Sequence, residues 1–325
     1  MSEVALSVQG LFKRYPGASI DAVSDLTFTL PKGCICGFIG PNGAGKTTTM
    51  RICSTLELPD AGNAYIGGYS ILSHPDEVRR QIGFMPDLFP VPPEFPVGEM
   101  LEFFGRAHGL WGPKLRQMSD SVIDFTNLSS MLEKPFGALS KGMKQRAALA
   151  TVLMHDPNLL ILDEPAAGLD PRARVELRTL LTLLAEQGKT VLISSHILAE
   201  LSEICDRAVV IEQGKMRAER TLKDGKVVAD FVERSEAVES SLVTPLYLET
   251  LAHPEMVLKV LEQYPFIQAS RLHEEGVLMS FAGDREAQAD FLKVLVDQGI
   301  QPVRFAEQAV NLEDLFLSLT EGNVQ

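Results

Sequence analysis

The run Gly40-Pro41-Asn42-Gly43-Ala44-Gly45-Lys46-Thr47-Thr48 sets three glycines ahead of a lysine and two hydroxyls. Its spacing is GxxxxGK[ST]. It follows the compact apolar stretch from Cys34 to Ile39 and precedes a segment that reads as helix from about Lys46. Glycines let successive backbone N–H groups turn inward without a Cβ in the way, which makes a nest for an anion. The start of a helix adds the positive end of its dipole. In that setting Lys46 is expected to reach the β- and γ-phosphates of a nucleotide, and the Thr47 hydroxyl to hold Mg²⁺.

A second group lies downstream, where the apolar run Leu159-Leu160-Ile161-Leu162 ends in Asp163-Glu164-Pro165. Side chains alternate faces along a strand, so adjacent acids at a strand end can take different work. Asp163 is expected to hold Mg²⁺ from its outer coordination sphere, and Glu164 to activate a water aimed at the γ-phosphate. Between the two groups, Ser140-Lys141-Gly142 opens another helical segment. Ser140 suits the N-cap and Gly142 allows close backbone approach, so a second helix N-terminus becomes available to phosphate.

Taken in order, these motifs make the chain resemble the nucleotide-binding subunit of an ABC transporter. Leu139-Ser140-Lys141-Gly142-Met143-Lys144-Gln145-Arg146 is similar to that family's signature segment. Ala167-Gly168-Leu169-Asp170 is similar to its D-loop, and Ser195-His196 to its switch histidine. The resemblance spans about residues 4–220 and implies ATP and Mg²⁺ as cofactors and ATP hydrolysis as the activity. It implies a head-to-tail pair of chains, a homodimer or a heterodimer with a second ATPase subunit. Ser140, Lys141 and Gly142 of one chain would close over ATP held by Gly40–Thr48 of the other. His196 would contact the γ-phosphate and link it to Glu164. Tyr15 stands where the family places an adenine-stacking aromatic, although an aromatic near a strand end can equally be core. The implied partner is a separate integral-membrane permease, which puts the chain in the cytoplasm, peripheral on the inner face of the membrane. Export is favoured over import because the tail, closing in Asn311-Leu312-Glu313-Asp314-Leu315-Phe316, resembles an extension on some export ATPases.

Three positions depart from the family pattern. Asp87 stands where a glutamine is usual, after the strand-like Gly83-Phe84-Met85-Pro86; its carboxylate can still ligate Mg²⁺ and orient water, but adds negative charge beside the triphosphate. Lys141 and Met143 replace the commoner Gly and Gln, and Lys141 either adds charge near phosphate or faces water. Ala167 replaces a common serine.

The elements that must position these residues can be read in outline. Residues 4–12 and 23–30 alternate like strands, while Cys34–Ile39, Leu159–Leu162 and Thr190–Ser194 are short apolar runs suited to a sheet buried on both faces. Prolines 86, 90, 92, 93 and 96 mark a stiff irregular loop before a helical stretch. The tail reads as strand 242–248, helix 254–264, strands 267–272 and 277–281, helix 284–298, strand 300–305 and helix 311–320, a ferredoxin-like order. The expected fold is α/β: a P-loop NTPase core of the ABC ATPase kind with a helical subdomain, plus a small α+β (ferredoxin-like) C-terminal domain. The expected bounds are 1–222 for the ATPase domain (helical subdomain about 97–155), 223–240 for a linker and 241–325 for the accessory domain.

Composition narrows the function classes. With 325 residues, 45% hydrophobic and 22% charged, the chain has room for two globular domains. No apolar run reaches the 18 residues of a membrane span, and Met1–Phe12 lacks the basic start of a secretory signal. Cys34, Cys36, Cys53 and Cys205 have neither disulfide-framework nor zinc spacing and read as small buried residues in a reducing compartment. The net charge is −13, placed unevenly: residues 1–220 hold 22 basic against 25 acidic residues, and 221–325 hold 8 against 18. That balance argues against nucleic acid as a partner. A soluble ABC ATPase acting on a macromolecule is the alternative function, and a small-molecule P-loop kinase a third. The single P-loop, the absence of a long heptad array and the acidity weigh against the second; the signature segment and His196 weigh against the third.

Overall fold

Strand β3 (Ile35–Ile39) is buried at every residue, as expected of a strand covered on both faces. In the computed structural model it sits inside a seven-stranded sheet. The structure describes residues 4–195, 201–223, 226–230, 243–261, 263–273 and 275–307. The other strands of that sheet are β6 (Ile82–Met85), β7 (Leu159–Leu162), β8 (Thr190–Ser195), β9 (Arg207–Glu212), β10 (Lys215–Lys223) and β11 (Lys226–Asp230). Their order is β11-β10-β9-β3-β8-β7-β6. The five strands from β9 to β6 run parallel, whereas β10 and β11 fold back as antiparallel neighbours. β11 extends the sheet into the segment 223–240 read from sequence as a linker. The β9–β10 turn at Gln213-Gly214 returns the chain along the edge, so pairing continues past residue 222.

A second, antiparallel sheet has the order β2-β1-β4-β5, from β1 (Val4–Lys13), β2 (Val23–Pro31), β4 (Ala61–Ile66) and β5 (Tyr69–Ser70). One core joins the two sheets. Leu6, Val8 and Phe28 of the antiparallel sheet share it with Phe38, Ile161 and Leu192 of the parallel one, and with Met50 and Ile52 of helix α1 (Lys46–Cys53). Helix α2 (Pro75–Gln81) leads into β6. β4, α2, β9 and β10 escape the sequence reading because their apolar runs are short or carry charges facing solvent.

The helical subdomain is α3 (Val97–Ala107), α4 (Gly112–Thr126) and α5 (Lys141–Leu153). The proline-rich stretch before it is irregular as expected, and its carbonyls are used: Phe136 and Gly137 donate their N–H groups to Phe95 and Pro93. α5 passes through the middle, buried from Ala147 to Leu153; its alanines let neighbouring helices come close. Helix α6 (Pro171–Glu186) starts at Asp170, whose carboxylate accepts from Ala173 N–H at 2.9 Å, with proline in the first turn.

The chain divides into two compact units, the second beginning after Val232. In it, β12 (Val243–Thr250), β13 (Ile267–His273), β14 (Gly276–Ala282) and β15 (Pro302–Glu307) form an antiparallel sheet of order β13-β14-β12-β15, with α7 (Pro254–Leu261) and α8 (Arg285–Asp297) as the crossovers. This is the ferredoxin-like arrangement expected from the tail. Its core gathers Leu246, Leu248, Val277, Met279 and Phe281 against Val257, Leu261, Phe291 and Leu295. The expected helix 311–320 lies outside the described residues.

Where α3 and α5 end, His108 and His155 stack at 3.7 Å between ring centroids, 3° from parallel. His155 Nε2 hydrogen-bonds the Ile82 carbonyl at 2.8 Å, and burial, with the neighbouring His108 ring, pushes its pKa down to about 4. The folded pKa is below the unfolded one, so the unfolded chain binds the extra proton. Stability is therefore full above about pH 6.5 and declines toward pH 4 by less than about 1.4 kcal/mol per pH unit, since solvent reaches part of the ring. Thermal unfolding between pH 7.5 and 5 should show a smaller loss for His155→Phe than for the parent. An equal loss would mean the stacked pair does not carry the dependence.

Candidate active site

Parallel neighbours end together, and here the order β3-β8-β7-β6 puts the chemistry-bearing residues on one edge. Ile39 lies opposite Ser195, Ile193 opposite Leu162, and Leu162 opposite Met85. The segments that follow, Gly40–Thr48, Asp163-Glu164 and Pro86-Asp87, leave the sheet at its carboxyl end, where open α/β sheets receive their ligands.

The loop turns at Gly45, with φ of 102°, directly before α1; a Cβ there would overlap the Ala22 carbonyl oxygen, so only glycine fits. The N–H groups of the first turn of α1 point out of the helix with no intrahelical acceptor. Lys46 curls back over the loop: its Nζ donates to the carbonyls of Gly40 at 2.7 Å and Pro41 at 3.2 Å. It is 7% exposed, and burial pulls its pKa down while the charges of Glu164 and Asp163 pull it back up. Glu164 Oε1 is 4.0 Å away. The ammonium is thus held at the mouth of an anion nest by weak acceptors that a phosphate can replace.

Thr47 Oγ1 donates to Asp163 Oδ2 at 2.8 Å. Asp163 is buried, and its N–H continues the sheet to Met85 O at 2.9 Å. Glu164 then turns out of the strand with φ of 50°. Its N–H donates to Ser194 Oγ at 2.8 Å, and Ser194 donates in turn to the other Asp163 oxygen at 2.7 Å. The sequence reading did not single out Ser194. The available signal was a pair of serines ending an apolar strand, but a hydroxyl's partners on other strands cannot be read from its neighbours in the chain.

Ser140 caps α5 as expected, accepting from Met143 N–H at 3.4 Å. Gly142 packs on α6, where an added Cβ would meet that of Ala173 at 2.7 Å. Lys141 is exposed, and its ammonium lies over Gly168. Tyr15 is 38% exposed, so it is not a core residue, and Lys13 Nζ lies over its ring, 5.6 Å from the centroid. Asp87 is exposed, two residues beyond β6. His196 lies outside the described residues.

A glycine loop between a buried parallel strand and a helix, with a lysine and a hydroxyl–carboxylate pair at its mouth, is the arrangement of a P-loop nucleotide-binding protein. The ABC transporter family model matches residues 23–167. The chain is 33% identical over 320 residues to the Nod factor export ATP-binding protein I of Ralstonia nicotianae, covering 97% of this chain and 93% of the relative. It is 32% identical to the protein of the same name from a Rhizobium species, covering 98% of each. The solved ATP-binding subunit of an ABC transporter superposes with a TM-score of 0.61 at 31% identity, over 68% of this chain and 91% of that one. A dimeric ATP-binding cassette in a post-hydrolysis state, bound to ADP and Pi, superposes with a TM-score of 0.62 at 25% identity, over 67% and 99%. The chain belongs to the ATP-binding proteins of the ABC transporter family. It binds and hydrolyses ATP.

Replacing Lys46 by alanine should weaken ATP binding by about tenfold to a hundredfold, the loss of a charge-assisted contact worth about 1.5–3 kcal/mol. Titration with a fluorescent ATP analogue reads it directly. Parental affinity in the variant would remove Lys46 from the site.

Proposed function

We propose that two copies of this chain, or one copy with a second ATPase subunit, bind ATP head to tail and use its hydrolysis to drive export through a separate integral-membrane permease. The observation that carries the reading is the carboxyl edge of the parallel sheet, where Lys46, Thr47, Asp163 and Glu164 converge. Relatives spanning nearly the whole chain and named as export ATP-binding proteins support the direction of transport. No helix among the described residues is long and apolar enough to cross a membrane, which fits a permease on another chain. Such a subunit works at the inner membrane face, and its acidity disfavours nucleic acid as a partner.

In this reading Lys46 and the backbone N–H groups from Gly40 to Thr48 hold the β- and γ-phosphates. Tyr15 stacks on the adenine. The Thr47 hydroxyl and the Asp163 carboxylate are hard oxygens 2.8 Å apart and suit Mg²⁺, Thr47 as a ligand and Asp163 from the outer coordination sphere, with the exposed Asp87 after β6 as a further carboxylate for it. A Mg²⁺ held there would neutralise phosphate charge. Glu164 takes the proton of the attacking water, and His196 links it to the γ-phosphate. The N-terminus of α5, with Ser140, Lys141 and Gly142, closes over the nucleotide of the opposite chain. The ATPase domain is 1–222, with β11 appended, and the second unit is an accessory domain.

Glu164→Gln should keep ATP binding, lose turnover by at least about a hundredfold and accumulate as an ATP-dependent dimer on size exclusion. Captured from detergent-solubilised membranes with ATP, this trapped variant should bring down a polytopic membrane protein. Parental turnover would remove Glu164 as the base, and capture without a membrane protein would favour a soluble role.

Asp87→Gln should stay within about tenfold of the parental rate, about 1.4 kcal/mol, while Asp87→Ala should lose more and need more Mg²⁺. Rate against Mg²⁺ concentration separates the two. An alanine variant indistinguishable from the parent would make Asp87 a loop residue without part in the chemistry.

A further inference from the structure

Strand β8 lies between β3 and β7, so it separates the P-loop strand from the strand that carries the two acids. Ser194, near its end, is completely buried. A serine hydroxyl has one hydrogen to give and lone pairs to receive. Both are committed here: the proton to Asp163 Oδ1 at 2.7 Å, a lone pair to the Glu164 N–H at 2.8 Å. Asp163 is still in the sheet, its N–H paired with Met85 O, whereas Glu164 has left it with a left-handed φ of 50°. That conformation is unfavourable for a residue with a Cβ and persists only where the surroundings hold it.

We propose that Ser194 is the positioning residue of the hydrolytic site, one hydroxyl that orients the Asp163 carboxylate and locks the backbone of Glu164. With Oδ1 engaged by Ser194, Oδ2 of Asp163 is turned to Thr47. With its N–H anchored, the Glu164 side chain leaves the turn toward Lys46, 4.0 Å away. Without the hydroxyl, a buried carboxylate oxygen and a backbone N–H both lose their partner, and the left-handed turn loses its anchor. The proposal rests on the reading of Glu164 as the base.

The test is steady-state and single-turnover ATPase kinetics on the full chain with Ser194→Ala and Ser194→Thr, each also measured for thermal unfolding. The alanine variant should lose kcat by about tenfold to a hundredfold while KM for ATP stays within about threefold, the pattern of a contact that matters in the transition state. Threonine, which restores the hydroxyl, should recover the rate to within about threefold of the parent. In the Glu164→Gln background Ser194→Ala should cost a smaller fold of the single-turnover rate than in the parent, because the base it positions is gone and only the Asp163 contact remains to be lost. Three results would overturn the proposal: unchanged kcat in the alanine variant, an equal fold-loss in both backgrounds, or a fall of kcat, ATP affinity and unfolding temperature together. Parental turnover in Glu164→Gln alone would instead overturn the base assignment and leave the Ser194 measurement in the parental chain to stand by itself.

Discussion

The hydrogen bond from Thr47 Oγ1 to Asp163 Oδ2, 2.8 Å long, joins residues 116 apart in the chain. Much of the site depends on it, and it forms because β3 and β7 run parallel with a single strand between them and end at nearly the same level, Ile39 beside Ser195 and Leu162 beside Ile193. Each strand is locked in register to the next, so the points where the chain leaves the sheet fall on one line. The acids come from one loop, the lysine and hydroxyl from another, and the serine that binds both acids from the strand between.

Electrostatics then gives that edge its use. A lysine 7% exposed is costly to bury unless charge or strong acceptors surround it, and Lys46 has two carbonyls within hydrogen-bonding distance and a carboxylate at 4.0 Å. Burial lowers its pKa, and the charges of Glu164 and Asp163 oppose that fall. A triphosphate offers the same cation stronger acceptors, and the glycine loop offers the phosphates backbone N–H groups that no side chain blocks.

The helical subdomain carries a second helix start against the core. Gly142 at the head of α5 and Ala173 at the head of α6 are both small, so the two N-termini pack closely, and Arg146 reaches Glu176 at 3.7 Å across the pair. Lys141 lies over Gly168, in the loop leading into α6.

Much of this was legible in the residues. The glycine spacing before Lys46-Thr47, the apolar run ending in Asp163-Glu164 and the Ser140 cap are local patterns, because nests, strand ends and N-caps are built from residues adjacent in the chain. The tail's alternation of strands and helices was readable for the same reason, and its ferredoxin-like sheet follows from that order by the rules of chain connection. Strand order in the large sheet was not readable: β9, β10 and β11 are short or charged on one side, and their neighbours are chosen by packing across long separations. Ser194 shows the limit most sharply. By itself it is one serine at the end of an apolar strand. Only the placement of β8 between β3 and β7 gives its hydroxyl two partners about 30 residues upstream. The residue types capable of the chemistry are thus determined by the sequence, whereas which of them meet is decided by the tertiary structure, since hydrogen bonds between strands depend on distances that no local pattern encodes.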